Sequence, residues 1–232
     1  MKIMSYSYAQ SEVTSSNPDT VLSKTFGLIG LSMIPTVLMA YLVAQIPMEF
    51  YQMHGIAALV GFIVLFLVSL GFMFFAMSQR TEALAVTGMM LFAGCMGAIM
   101  GPTIMITLHK SNGMQLILGA ASLTGISLFG LTAYALKTKR DFSFMGGFLF
   151  AALLVLIGGG ILQMFFHSPI LNMILTVAGV LVFLAYILYD VSRVVTGGEQ
   201  NYVFAAISIY LDILNLFLDL LRLLSMLSGD DD

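Results

Sequence analysis

Five polar residues in the last apolar stretch of the chain share the spacing of a single helical stripe. They are Ser208, Asp212, Asn215, Asp219 and Arg222, separated by 4, 3, 4 and 3 positions. The rest of Val203–Leu227 is mostly Ile, Leu, Phe and Met. A helix of this kind turns its polar seam towards protein or water, because a carboxylate facing lipid at mid-bilayer costs at least about 2.5–3.5 kcal/mol. Asp212 sits nine residues beyond the start of the stretch, about 13 Å along a helix rising ~1.5 Å per residue. That is too deep for a short side chain to reach the headgroups. Asp219 and Arg222 stand at i and i+3, where they can neutralise one another.

A second acid, Asp190, ends the preceding apolar stretch in the sequence YILYDVSR. A short connection joins it to the helix bearing Asp212, so the two carboxyls can meet. Two carboxylates in a low-dielectric site do not both ionise cheaply; they share a proton and titrate as a unit. The chemistry this offers is a proton-sensitive gate or a cation site. Oxygen-only ligands suit Ca²⁺ better than zinc or copper. The same residues also fit a purely structural reading, in which Asp190 caps a helix end beside Arg193 and Asp212 makes an interhelical hydrogen bond.

Positioning these residues takes a membrane bundle. Of 232 residues, 59% are hydrophobic and only 9% charged, against roughly 25% charged in a soluble domain. Seven apolar stretches run Thr25–Ala44, Gly55–Met77, Ala83–Leu108, Met114–Leu136, Phe144–Phe166, Ile170–Tyr189 and Val203–Leu227. Each approaches the ~20 residues that span the hydrocarbon core, and the first six contain no Asp, Glu, Lys or Arg. A barrel would show alternating segments of about ten residues instead. The expected fold is an all-α integral membrane protein with seven transmembrane helices. Residues 1–22 are expected to be a flexible tail without the apolar core of a signal peptide. The membrane domain is expected over 23–228, with a short acidic tail over 229–232.

Basic residues give the orientation. With the N-terminus on one side, that side holds Lys2, Lys24, Arg80, Lys137, Lys139, Arg140 and Arg193, and the other only Lys110 and Arg222. The basic side is expected to be the cytoplasm. The net charge of −3 suggests no nucleic-acid partner. Cys95, alone of its type, excludes an intramolecular disulfide. Gly94, Gly97 and Gly101 line one face of the third span, a pattern that lets backbones approach closely in lipid. Pro35 and Pro102 fall inside spans, where kinks are expected.

Catalysis is not expected. Two acids near spans have the look of an intramembrane aspartyl protease, but Ile209-Tyr210-Leu211-Asp212 lacks the glycines of GxGD and no PAL motif follows. Gly125-Ile126-Ser127-Leu128-Phe129 fails GxSxG. No HExxH, P-loop or GxGxxG occurs, so no cofactor is implied.

Three segments carry a family resemblance: Leu188–Asp190 (LYD), Ser208–Leu224 (SIYLDILNLFLDLLRLL) and Lys139–Gly147 (KRDFSFMGG). Together they resemble the Bax inhibitor-1 family from the first span to the C-terminus. GGEQNY at Gly197–Tyr202 and MGPT at Met100–Thr103 are similar to the bacterial inner-membrane YccA branch, and the paired acids resemble the YetJ branch. The resemblance implies seven helices with the seventh surrounded by the other six, and a pH-sensitive Ca²⁺ leak whose sensing pair is Asp190 and Asp212. It implies transported Ca²⁺ at that pair rather than a resident cofactor, and a bacterial inner-membrane location. In the YetJ branch a basic residue ending the second span latches onto the acid at the position of Asp190. An ungapped count places that residue at Gln79, with Arg80 one position later and about 100° around the helix. Arg80 is therefore the candidate latch, its alternative role being an anchor on the basic side. The YccA likeness implies a second activity, as a modulator and slow substrate of the membrane protease FtsH, gripped by the N-terminal tail.

Overall fold

The computed structural model describes residues 13–15 and 17–229. Seven helices among them are long and apolar enough to cross a membrane. They are α1 (Pro18–Ala44), α3 (Gly55–Ser78), α4 (Glu82–Leu108), α5 (Gly113–Thr138), α6 (Gly146–Phe166), α7 (Pro169–Val195) and α8 (Tyr202–Leu227), with a short α2 (Met48–Met53) between the first two spans. A single 3₁₀ turn at Ser143–Met145 leads into α6. The chain is an all-α membrane protein.

Local chemistry explains where the helices start. Asn17 accepts a hydrogen bond from the Asp19 amide at 3.0 Å, and Pro18 occupies the first turn; proline loses nothing there. Ser168 caps α7 through the Leu171 amide, with Pro169 following. Asn201 caps α8 by accepting from the Val203 and Phe204 amides. The Asn17–Pro18 signal starts α1 inside the stretch expected to be tail. Residues 13–15 are also held, against residues 200–202. The remainder of the expected tail, and residues 230–232, lie outside the described residues.

The last helix forms the core. Within its apolar window 61% is buried, against 6% for α3. It packs on α1, α3, α4, α5 and α7, so five of the other six spans surround it rather than all six. α6 is the exception and lies against α7 and the 3₁₀ turn. Leu149 is its sole buried residue, and Gly159 lets it seat on Leu175 of α7. Apart from Gln163 the rest of α6 is apolar, a surface that lipid solvates as well as protein does.

The glycine face of α4 docks on α1. A side chain on Gly97 would run into the Thr36 backbone, and one on Gly101 into Val43. Close approach brings polar groups of three helices together. The Thr36 hydroxyl stands 2.8 Å from the Ser32 carbonyl and 2.6 Å from the Tyr210 hydroxyl of α8, and the Ala93 carbonyl of α4 lies 3.2 Å from Thr36 Oγ1. Pro35 and Pro102 lie inside α1 and α4, both of which run on past them. Because backbone rather than a flexible side chain blocks Gly97, Gly97→Ala is expected to destabilise the bundle by about 1–3 kcal/mol. The measurement is unfolding in mixed micelles; unchanged stability would show that the α1–α4 contact relaxes freely.

Candidate functional site

The site forms where the polar seam of α8 meets α7. Along α7, Tyr186, Asp190 and Arg193 fall at i, i+4 and i+7, one face of a helix. That helix continues to Val195, six residues past the end of the apolar run, so Asp190 lies within it rather than at its tip. Asp212 on α8 is only 6% exposed, and among the described residues no other Asp, Glu, Lys or Arg is buried. The Asp190 and Asp212 carboxyls lie within hydrogen-bonding reach of each other. Among the described residues no donor group reaches Asp212 Oδ2. Tyr186 stands close enough to both acids to feel their charge.

One cation serves this cluster. Arg193 Nη1 lies 4.0 Å from Asp190 Oδ1, and its Nη2 lies 3.2 Å from Glu199 Oε2. The guanidinium also sits 5.7 Å from the centre of the Tyr189 ring. Glu199 belongs to the α7–α8 connection, which folds back so that the Glu199 amide donates to the Arg193 carbonyl at 3.0 Å. Gly197, with φ 79°, makes that turn. The second Glu199 oxygen accepts from the Asn201 amide at 2.9 Å. Sequence reasoning misses both Glu199 and Tyr186. The i, i+4, i+7 spacing along α7 is a signal that could find Tyr186, whereas nothing in the sequence tells that the connection returns Glu199 to Arg193.

The other residues of the seam lie along α8 on either side of Asp212. Ser208 is half-buried. Asn215 donates to the Leu211 carbonyl of its own helix at 2.8 Å, a structural bond. The Asp219 carboxylate packs directly on Gly179 of α7 and pairs with the exposed Arg222 at 3.2 Å. Arg80 is not brought to the acids. It is exposed in the α3–α4 connection and makes no ion pair among the described residues, while Asp190 takes Arg193 as its cation. No three His, Cys, Asp or Glu residues come together among the described residues as a metal centre would need.

The sequence profile of the family described as inhibitor of apoptosis-promoting Bax1 matches residues 18–229, from the first turn of α1 to just past α8. The chain belongs to the Bax inhibitor-1 family. Bax inhibitor-1 relatives occur in bacteria and in mammals. An uncharacterized protein of Pseudomonas aeruginosa is 35% identical over 211 residues, 91% of either chain. Protein lifeguard 4 of Mus musculus is 33% identical over 88% of this chain and 83% of its own. YccA of Escherichia coli K12, named a modulator of FtsH protease, is 32% identical over 161 residues, 69% of this chain and 73% of YccA.

Proposed function

We propose that this Bax inhibitor-1 family membrane protein is a proton-sensitive cation leak, gated by Asp190 and Asp212, with Ca²⁺ as the conducted ion and its basic end in the cytoplasm of a bacterial cell. The observation that carries this reading is the pair itself: two carboxyls from two helices face each other, and no donor among the described residues reaches one of the oxygens. Two acceptors in that position are held together by a proton lying between them. With the proton in place, α7 and α8 are tied. Without it, the carboxylates repel across a weakly screening interior. Each state favours a different α7–α8 arrangement, and the charged one attracts cations. Arg193, Glu199, Tyr186 and Tyr189 set the surrounding field.

Ca²⁺ takes six to eight oxygen ligands. Two carboxyls supply too few for a resident ion, which suits an ion that passes through with part of its water shell. The protein acts here as a conductor, with no catalytic step. The test is Ca²⁺ entry into liposomes loaded with an indicator, followed between about pH 6 and 8 for the wild type, Asp190→Asn and Asp212→Asn. A pH-dependent wild type and pH-insensitive variants are expected. Identical flux and identical pH dependence in all three would remove the pair from the mechanism.

A second reading, compatible with the first, comes from YccA, whose name makes it a modulator of FtsH protease. In this reading the present chain also binds such a protease and presents its N-terminal residues to it. Deleting residues 2–12 is expected to lengthen the half-life of the protein in cells containing FtsH and to leave it unchanged in cells without it. Equal half-lives of full-length and shortened protein in FtsH-containing cells would exclude that role.

A further inference from the structure

The segment before α1 forms the far end of a bonded chain that begins at the acid pair. Val13 is 2% exposed. Its carbonyl accepts from the Tyr202 amide at 3.2 Å, the Ser15 amide donates to the Gln200 carbonyl at 3.0 Å, and Thr14 faces Asn201 in an antiparallel bridge. Residues 13–15 thus seat on the short segment 200–202 that starts α8. That segment is pinned in turn by Glu199, whose one oxygen holds the Asn201 amide and whose other holds Arg193. Arg193 is shared with Asp190, and Asp190 faces Asp212.

We infer that Val13–Ser15 is a strap across the basic end of the bundle, and that how firmly it seats is set from the acid pair through Arg193 and Glu199. The inference rests on the proposed reading of Asp190 and Asp212 as a proton-exchanging pair. Arg193 has two acidic partners and a single charge. When Asp190 is ionised it draws the guanidinium inward and loosens the hold on Glu199. When Asp190 is neutral, Arg193 turns wholly to Glu199, a charge-assisted bond strengthens, and the segment that carries the strap stiffens. Asp19, Arg80, Lys137, Lys139, Arg140 and Asp141 also lie at this end and, among the described residues, make no ion pair with Arg193 or Glu199. Lys24 and Glu82 are paired at 3.2 Å, with the Lys24 ammonium 5.0 Å from the centre of the Tyr202 ring. They hold the α1 side of the same seat and have no part in the relay.

The strap also joins the two activities proposed above. A protease pulling on the N-terminus would draw on the segment bonded to residues 200–202 and, through it, on the pair.

Amide hydrogen exchange on the full-length protein in lipid nanodiscs tests this without measuring flux. The readouts are the Ser15 and Tyr202 amides, with the amide of the core residue Tyr210 as a check that the fold is intact. Arg193→Gln is expected to speed exchange at both readouts about three- to tenfold, and Asp190→Asn to slow it by a similar factor. Arg193→Lys restores part of the protection. Opposite signs are the signature, because loss of general stability speeds exchange in both variants. Val13→Asp gives the rate for a released strap. Exchange that moves the same way in Arg193→Gln and Asp190→Asn, or in neither, overturns the relay. A failure of the gating reading shows up separately, as a liposome flux indifferent to pH.

Discussion

Tyr210→Ala is expected to lose about 3–5 kcal/mol of folding stability, while Tyr210→Phe loses only about 0.6–1.7 kcal/mol. Tyr210 is among the largest fully buried side chains of the described protein. Its ring stands edge-on to Phe92 of α4 at 5.7 Å between centroids. Its hydroxyl meets Thr36 of α1 at 2.6 Å and lies 3.4 Å from the Ala93 carbonyl of α4. Removing the ring leaves a void where α1, α4 and α8 converge, and nearby backbone is already in contact through Gly97, so the site has little freedom to collapse. Removing only the hydroxyl keeps the volume and sacrifices an interhelical hydrogen bond, which is a modest term in membranes. The gap between the two variants, read by unfolding in mixed micelles, reports shape filling against polar bonding. Equal losses would mean that the hydroxyl, not the ring, holds the three helices.

The second large effect concerns the pair of acids. Asp190→Asn and Asp212→Asn are each expected to abolish the pH response of the leak, and the double variant to add almost nothing further. An asparagine amide donates to the opposite carboxyl at every pH, so one substitution already fixes the bond that a proton otherwise makes and breaks. A single shared proton changes the ratio of two states by at most about tenfold per pH unit, which bounds the wild-type response. Contacting residues that act as a unit are non-additive. If the response of the double variant equals the sum of two partial losses from the single variants, the two acids titrate independently and the shared proton does not exist.

Seven spans were legible because uncharged apolar runs near 20 residues long match the thickness of a bilayer and little else. The errors sit where hydropathy and helix formation part company. α1 begins at Pro18 because an Asn cap and a helix-starting proline nucleate a polar first turn, which an apolar count ignores. α7 continues through Asp190, Val191, Ser192 and Arg193 because charged residues form helix readily once a span nears the interface. The short α2 lay in MEFYQM, too brief for any periodicity. Within the site, the stripe from Ser208 to Arg222 was readable from spacing alone, and so was the depth of Asp212. What remained invisible was tertiary: that the α7–α8 connection folds back to bring Glu199 to Arg193, that residues 13–15 reach it, and that Arg193 is the cation beside Asp190. Each depends on chain reversals in polar segments, where no periodic pattern constrains the path.

The order of synthesis gives the arrangement of α8 a further consequence. A ribosome releases α1 to α7 before the helix on which most of them pack, so the Thr36 hydroxyl of α1 and the Asp190 carboxyl of α7 enter the membrane while their partners Tyr210 and Asp212 are still unmade. Until Tyr202–Leu227 arrives, the five spans that pack on it flank a cleft rather than a core. A nascent chain halted short of α8 therefore holds the Thr36 hydroxyl and the Asp190 carboxyl without the partners that the last helix supplies.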